Sequence, residues 1–160
     1  MIQIFQKSRS FGPKTAIISG GNSYSYADLH AAADDFAHLL LEEQADLAEG
    51  RVAFMVQPGF DYVRVQWGIW QAGGIVVPLC LSYPLPSLRY TIENSGASVI
   101  VVSPEFEVTL KDLADELGCR FIVLGKNDQA KVPKSLPEIA DSRGAMILYT
   151  SGTTNLPKGV

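Results

Sequence analysis

From residue 51 onward, short apolar segments alternate with amphipathic ones, and this alternation constrains the fold more than any other feature. The apolar segments lie at 51–56, 75–79, 99–102 and 121–124, and amphipathic stretches at 59–72, 85–95 and 105–117 separate them. Strand–helix–strand repetition pairs strands in parallel, and the strands are apolar on both sides because helices cover both faces of the sheet. The alternation therefore predicts a doubly wound α/β fold with a largely parallel sheet and flanking helices.

The residues before this region predict an antiparallel hairpin and a helix. Residues 15–26, T-A-I-I-S-G-G-N-S-Y-S-Y, place a Gly-Gly-Asn turn between two β-prone runs, which is typical of a hairpin. Ser25 and Asp28 then form a capping-box-like start, and apolar residues follow at helical spacing. We expect the helix to occupy about residues 26–43.

Size and charge exclude several classes of protein. With 160 residues and 47% hydrophobic side chains, the chain can form one domain with a buried core. A net charge of −4 and the lack of a Lys/Arg run disfavour nucleic acid as a partner. The sequence has no apolar run near the roughly 20 residues of a transmembrane segment, and its start does not resemble a signal peptide. We therefore expect a cytoplasmic protein.

The segment 148–160, L-Y-T-S-G-T-T-N-L-P-K-G-V, combines hydroxyl side chains, glycine and lysine after a strand predicted at 146–149. Hydroxyls donate hydrogen bonds to phosphate oxygens, glycine lets backbone N–H groups approach them, and lysine supplies positive charge. The segment is not a Walker A loop, because Pro157 precedes Lys158 and Gly159 follows it. A loop rich in Ser, Thr and Gly is more often a solvated turn than a nucleotide-binding site. The interpretation of this segment therefore depends on the order and spacing of its residues.

In order and spacing, this segment resembles the signature T-S-G-[ST]-T-G-x-P-K-G of the adenylate-forming superfamily, which includes acyl-CoA synthetases. Asn155 stands where the family carries glycine. Asparagine tolerates left-handed backbone conformations, so the loop can still close, but we expect weakened activity because a side chain now lies near the phosphates.

The resemblance covers nearly the whole chain. Y-S-Y-A-D-L at 24–29 is similar to the family's T-Y-x-E-L, and G-I-W-Q-A-G-G-I-V-V-P-L at 68–79 is similar to its A-G-G-x-x-V-P-L. Q-W-G-I-W at 66–70 together with G-A-M-I-L-Y-T-S-G at 144–152 resembles the malonyl-CoA synthetase-like branch in particular.

This resemblance implies an ATP-dependent carboxylate–CoA ligase. Such an enzyme joins a small carboxylic acid to AMP, releases pyrophosphate, and transfers the acyl group to coenzyme A, with ATP and Mg²⁺ required. The implied catalytic residue is Lys158, which would neutralise the departing pyrophosphate. Thr154 is also implied to lie near Mg²⁺. The implied ligands of the β- and γ-phosphates are Thr150, Ser151, Gly152, Thr153, Thr154 and Lys158.

The resemblance further implies that other active-site residues lie beyond this signature. We therefore expect residues 1–160 to be the N-terminal part of an AMP-binding domain, truncated after the phosphate-binding loop at 149–160, and the isolated chain to be inactive. Two alternatives remain: a stand-alone phosphate- or ATP-binding module without catalysis, and a structural fragment. Malonate, a fatty acid, an aryl acid and an amino acid all remain open as substrates.

Overall fold

The computed structural model describes residues 3–126, 135–150 and 157–160, and the chain divides into two compact units. The first unit comprises Met1–Glu49, Gln57–Gly74 and Gln129–Gly144. The second unit comprises Gly50–Val56, Ile75–Asp128 and Ala145–Val160.

The first unit contains three helices and a hairpin in its described residues. In chain order they are α1 (Gln3–Arg9), β1 (Thr15–Ser19), β2 (Asn22–Ser25), α2 (Tyr26–Leu41) and α3 (Phe60–Gln71). The predicted hairpin is confirmed, with β1 antiparallel to β2 and positive φ angles at both turn glycines, Gly20 and Gly21. Such angles suit glycine in a two-residue turn. Helix α1 was not expected from the sequence pattern, and its buried residues are Phe5 and Ser8.

Helix α2 begins at the predicted capping box and packs closely on α3. The Asp28 backbone N–H donates to Ser25 Oγ at 3.1 Å, and the Ser25 backbone N–H donates to the Asp28 carboxylate at 2.8 Å. Gly68 of α3 faces α2, because a Cβ there would lie 2.8 Å from Phe36 Cδ1 and 2.9 Å from the Ala33 carbonyl oxygen. Phe5, Leu29, Ala33 and Trp67 form a buried apolar cluster of this unit.

The second unit contains the predicted parallel sheet. Its elements are β3 (Arg51–Met55), β4 (Ile75–Pro78), α4 (Leu85–Ser95), β5 (Val99–Val102), α5 (Glu107–Glu116) and β6 (Arg120–Val123). The strand order is β4-β3-β5-β6, and every neighbouring pair is parallel. The chain thus moves from β3 to one side and then continues on the other, as in doubly wound sheets. The mixed α/β fold with flanking helices and an N-terminal hairpin is therefore confirmed.

Burial, and the residues that end helices and strands, explain these elements. All four residues of β5 are buried, as expected for a strand covered on both faces. Gly96 ends α4 in the left-handed conformation that is common at helix C-terminal caps and that glycine adopts readily. Pro78 ends β4, because its nitrogen carries no N–H that could extend a ladder. Among the described residues, the helices lack the combined length and hydrophobicity that crossing a membrane requires.

Candidate functional site

The segment that leads to the candidate loop runs alongside the edge strand β4. The Val76 N–H donates to the Ala145 carbonyl at 3.1 Å, and the Ile147 N–H donates to the Val76 carbonyl at 2.9 Å. Met146 thereby forms an isolated parallel bridge with Val76. Because the segment is parallel to β4, the chain leaves it at the carboxyl edge of the sheet, where α/β proteins bind ligands.

The strand predicted at 146–149 is wrong in its bounds. A regular ladder begins at β7 (Tyr149–Thr150), which pairs antiparallel with β8 (Lys158–Gly159). Leu148 and Val160 extend this pairing by exchanging two backbone hydrogen bonds of 2.9 Å. The bounds differ because β4 ends at Pro78. The backbone beyond Ile147 therefore forms its hydrogen bonds with residues 158–160.

This ribbon, defined as residues 148–150 and 158–160, brings together two of the predicted site residues. Thr150 lies directly opposite Lys158 in the ladder, and both side chains are exposed. Side chains of directly opposed residues lie on the same face, with Cβ atoms about 4.5–5.5 Å apart. A hydroxyl and an ammonium group therefore stand side by side, and both can donate to an anion.

Tyr149 anchors the opposite face of the ribbon to the second unit. Its ring packs against the apolar core of the sheet, and its hydroxyl donates to Asn94 Oδ1 of α4 at 2.7 Å. Burial, and to a lesser degree the neighbouring Tyr90, raise the pKa of Tyr149, which keeps the phenol protonated as a donor. Because residues alternate between faces, the anchoring of Tyr149 directs Thr150 towards solvent.

Gly159 has a packing role that the sequence alone did not indicate. It lies opposite Tyr149, and a Cβ at this position would lie 2.9 Å from Ile147 Cγ2 and 3.1 Å from Tyr149 Cζ. Glycine is thus required for space beneath the tyrosine ring. The signal in the sequence is the glycine directly after Lys158, which is the last residue of the family signature and has a packing role here as well.

The remaining predicted ligands lie outside the described residues: Ser151, Gly152, Thr153, Thr154 and the variant position Asn155. Their roles stay predictions, as does the assignment of Thr154 to Mg²⁺. Within residues 3–126, 135–150 and 157–160, His, Cys, Asp and Glu side chains form no group of three that could hold a metal ion. The described part of the site therefore offers anion donors, Thr150 and Lys158, rather than metal ligands.

The similarity to known proteins extends over nearly the whole chain. A family model described as AMP-binding enzyme matches residues 4–160. A mitochondrial malonate–CoA ligase, ACSF3 of Xenopus laevis, is 30% identical over 172 residues, which cover 100% of this chain and 30% of the relative. The chain thus spans about 30% of the length of this curated relative.

Two solved structures share the fold of the chain. Apo MatB from Rhodopseudomonas palustris matches with a TM-score of 0.77 and 26% identity, covering 92% of this chain and 31% of that one. O-succinylbenzoate coenzyme A synthetase (MenE) from Bacillus subtilis, in complex with AMP, matches with a TM-score of 0.87. Its 21% identity, over 100% of this chain and 42% of that one, concerns the fold.

Proposed function

Because the chain belongs to the AMP-binding enzyme family, we propose that it is the N-terminal part of an ATP-dependent carboxylate–CoA ligase. In this proposal, residues 1–160 form the N-terminal part of the AMP-binding domain, and residues 149–160 form its phosphate-binding loop. The enzyme activates a carboxylic acid as acyl-AMP and then transfers the acyl group to coenzyme A.

The observation that carries the proposal is the position of Thr150 opposite Lys158, exposed at the carboxyl edge of the sheet. Lys158 would neutralise the charge that grows on departing pyrophosphate, an electrostatic contribution that is usually large in this chemistry. Thr150 would donate from the opposite strand. The further donors in the proposal are Ser151, Thr153, Thr154 and the backbone of Gly152.

The relatives bear on the substrate and the cellular location. Similarity to proteins named malonate–CoA ligase supports malonate as the carboxylic acid. The Xenopus relative is named mitochondrial, so a cytoplasmic location for this chain stays a prediction.

Mg²⁺ would accompany ATP, with Thr154 as the proposed neighbour. The described residues do not supply a carboxylate set for the ion, and we assign it no step.

Titration of ATP and of pyrophosphate into the 160-residue chain, followed by NMR, tests the proposal. We expect millimolar binding, because a few phosphate contacts must offset the entropy of association. Lys158→Ala should weaken binding by about tenfold or more through loss of a charge-assisted hydrogen bond. Lys7→Ala, which removes an exposed lysine of α1, should leave binding unchanged.

Two outcomes would count against this function. Equal affinities of the wild type and Lys158→Ala for ATP and pyrophosphate would show that the ribbon does not bind phosphate. Micromolar ATP binding would instead favour the stand-alone binding module, since affinity of that order needs contacts beyond the phosphates.

A further inference from the structure

The ribbon contacts the core of the sheet through a single side chain. Gly159 has no side chain, and four of the other ribbon residues are exposed: Leu148, Thr150, Lys158 and Val160. Among the six ribbon residues, all of which the structure describes, only Tyr149 packs against the apolar core. The orientation of the whole ribbon therefore depends on how this one tyrosine is held.

Two kinds of contact hold Tyr149, and they constrain it differently. Its ring packs against the sheet core, and apolar packing depends on buried area rather than on direction. Its hydroxyl donates to Asn94 Oδ1 at 2.7 Å, and a hydrogen bond weakens steeply when donor and acceptor turn away from each other. The hydrogen bond is thus the contact that fixes the far end of the tyrosine, and with it the rotation of the ribbon about its long axis.

Asn94 can fix a direction because it lies on a well-anchored helix. It belongs to the last turn of α4, which ends at the Gly96 cap. Leu88 and Ile92 of the same helix are buried in the sheet core. The exposed side chain of Asn94 therefore projects from a fixed backbone towards the tyrosine hydroxyl.

The rotation of the ribbon decides where its two donor groups point. Thr150 and Lys158 lie opposite each other in the ladder, on the face turned away from Tyr149. Rotation about the long axis would move the hydroxyl and the ammonium group together without breaking the ladder. Because charge-assisted hydrogen bonds depend on distance and angle, affinity for an anion would fall while the ribbon stays folded.

We propose that Asn94 is a positioning residue of the phosphate site, which acts through the Tyr149 hydroxyl and does not touch the anion. The inference rests on the proposed function of the ribbon. It adds to that function a residue of α4, an element that the phosphate-binding signature does not include.

Pyrophosphate titrations of the 160-residue chain, followed by NMR, test this role. Asn94→Ala removes the acceptor, and Tyr149→Phe removes the donor but keeps the ring. Each variant should bind pyrophosphate about fivefold more weakly than the wild type, as expected for the loss of one neutral hydrogen bond. The double variant should bind no more weakly than either single variant, because both changes break the same contact.

Three controls separate positioning from a general loss of structure. Ser98→Ala shortens an exposed polar side chain in the link between α4 and β5, and should leave pyrophosphate binding unchanged. The urea midpoint should not fall in Asn94→Ala, because the position is exposed and alanine favours a helix. Asn94→Asp keeps an oxygen that accepts from the phenol. It should restore the wild-type amide chemical shifts of Thr150 and Lys158, which Asn94→Ala should alter.

The possible outcomes distinguish this inference from the proposed function. If Lys158→Ala weakens pyrophosphate binding but Asn94→Ala and Tyr149→Phe do not, Asn94 has no positioning role and the proposed function stands. If the effects of the two single variants multiply in the double variant, the residues act separately and their hydrogen bond does not position the ribbon. Equal affinities of the wild type and Lys158→Ala would overturn the proposed function and this inference with it.

Discussion

His30 is a buried imidazole whose tautomer is set by a neighbouring hydroxyl. Ser8 Oγ donates to the Ile4 carbonyl at 2.6 Å and lies 2.9 Å from His30 Nε2. Since the hydroxyl proton is engaged, Nε2 carries the hydrogen and donates to Ser8. Nδ1 is then an unprotonated atom, buried without a hydrogen-bond partner in the described part of the chain. The ring packs beside Phe5 and Trp67, with centroid distances of 6.2 and 5.2 Å.

This environment predicts a loss of stability in mild acid. Burial, and secondarily the charge of Arg9, lower the pKa of His30 below 6.5, while Asp34 opposes the shift. The unfolded chain therefore binds a proton near pH 6.5 that the folded chain does not. We expect the urea midpoint to be highest above pH 6.5 and to fall as the pH decreases towards the pKa of folded His30.

Urea denaturation at pH values from 7.5 to 5 measures this effect. His30→Gln removes the titrating group, so its midpoint should change less over the same range. Parallel pH profiles of the two proteins would contradict the assignment to His30.

At the scale of elements, the ribbon is unusual because its two strands are only two residues each. An isolated hairpin of this size is marginal in water, so packing must hold it. Tyr149 supplies this packing through the sheet core and through its hydrogen bond to Asn94. The position of Lys158 thus depends on a tyrosine on the other strand of the ribbon.

Gly159→Ala tests that dependence. The new methyl group would press on Ile147 and on the Tyr149 ring, at a cost of about 1 kcal/mol or more. We expect large changes in the amide chemical shifts of Thr150 and Lys158, together with weaker pyrophosphate binding. Val160→Ala alters the adjacent, exposed residue and should leave both measurements unchanged. Unaltered shifts in Gly159→Ala would show that the ribbon does not need this space.

At the scale of the whole chain, contacts between distant segments close the first unit. Arg143 donates to both carboxylate oxygens of Asp46, at 2.8 and 2.6 Å, across a separation of 97 residues. This pairing lowers the pKa of Asp46, which keeps the carboxylate ionised. Glu49, three residues after Asp46, donates its backbone N–H to the Gly73 carbonyl oxygen at 2.8 Å. Gly73 has φ +82°, and a Cβ there would overlap Asp46 Oδ1.

Two glycine substitutions separate backbone strain from this packing. Gly73 and Gly96 both have positive φ, but a Cβ at Gly96 would meet nothing within 4 Å. We expect Gly96→Ala to lower the free energy of unfolding by about 1 kcal/mol through strain alone. Gly73→Ala should lower the free energy of unfolding by this strain and by about 1 kcal/mol or more in addition, because the new Cβ displaces the Asp46–Arg143 pair. Equal decreases in the free energy of unfolding of the two variants, measured by urea denaturation, would mean that Asp46 moves away from the new Cβ at little cost.

The sequence by itself determined the features that depend on near neighbours. The Gly20-Gly21 turn, the Ser25–Asp28 capping box and the Gly96 cap each involve residues a few positions apart. The strand–helix alternation likewise predicted a parallel sheet, since an apolar period shows which segments are buried. The order of residues in 148–160 indicated the adenylate-forming resemblance, which the family match over residues 4–160 confirms.

Only the tertiary structure decided which distant groups meet. The sequence did not indicate that Tyr149 would lie over Gly159, that Ser8 would set the tautomer of His30, or that Asn94 would accept a hydrogen bond from Tyr149. Nor did it predict α1, or the Asp46–Arg143 pair. The physical reason is that local pattern encodes backbone conformation and the buried face, whereas a long-range partner is selected when packed segments bring complementary groups within hydrogen-bonding distance.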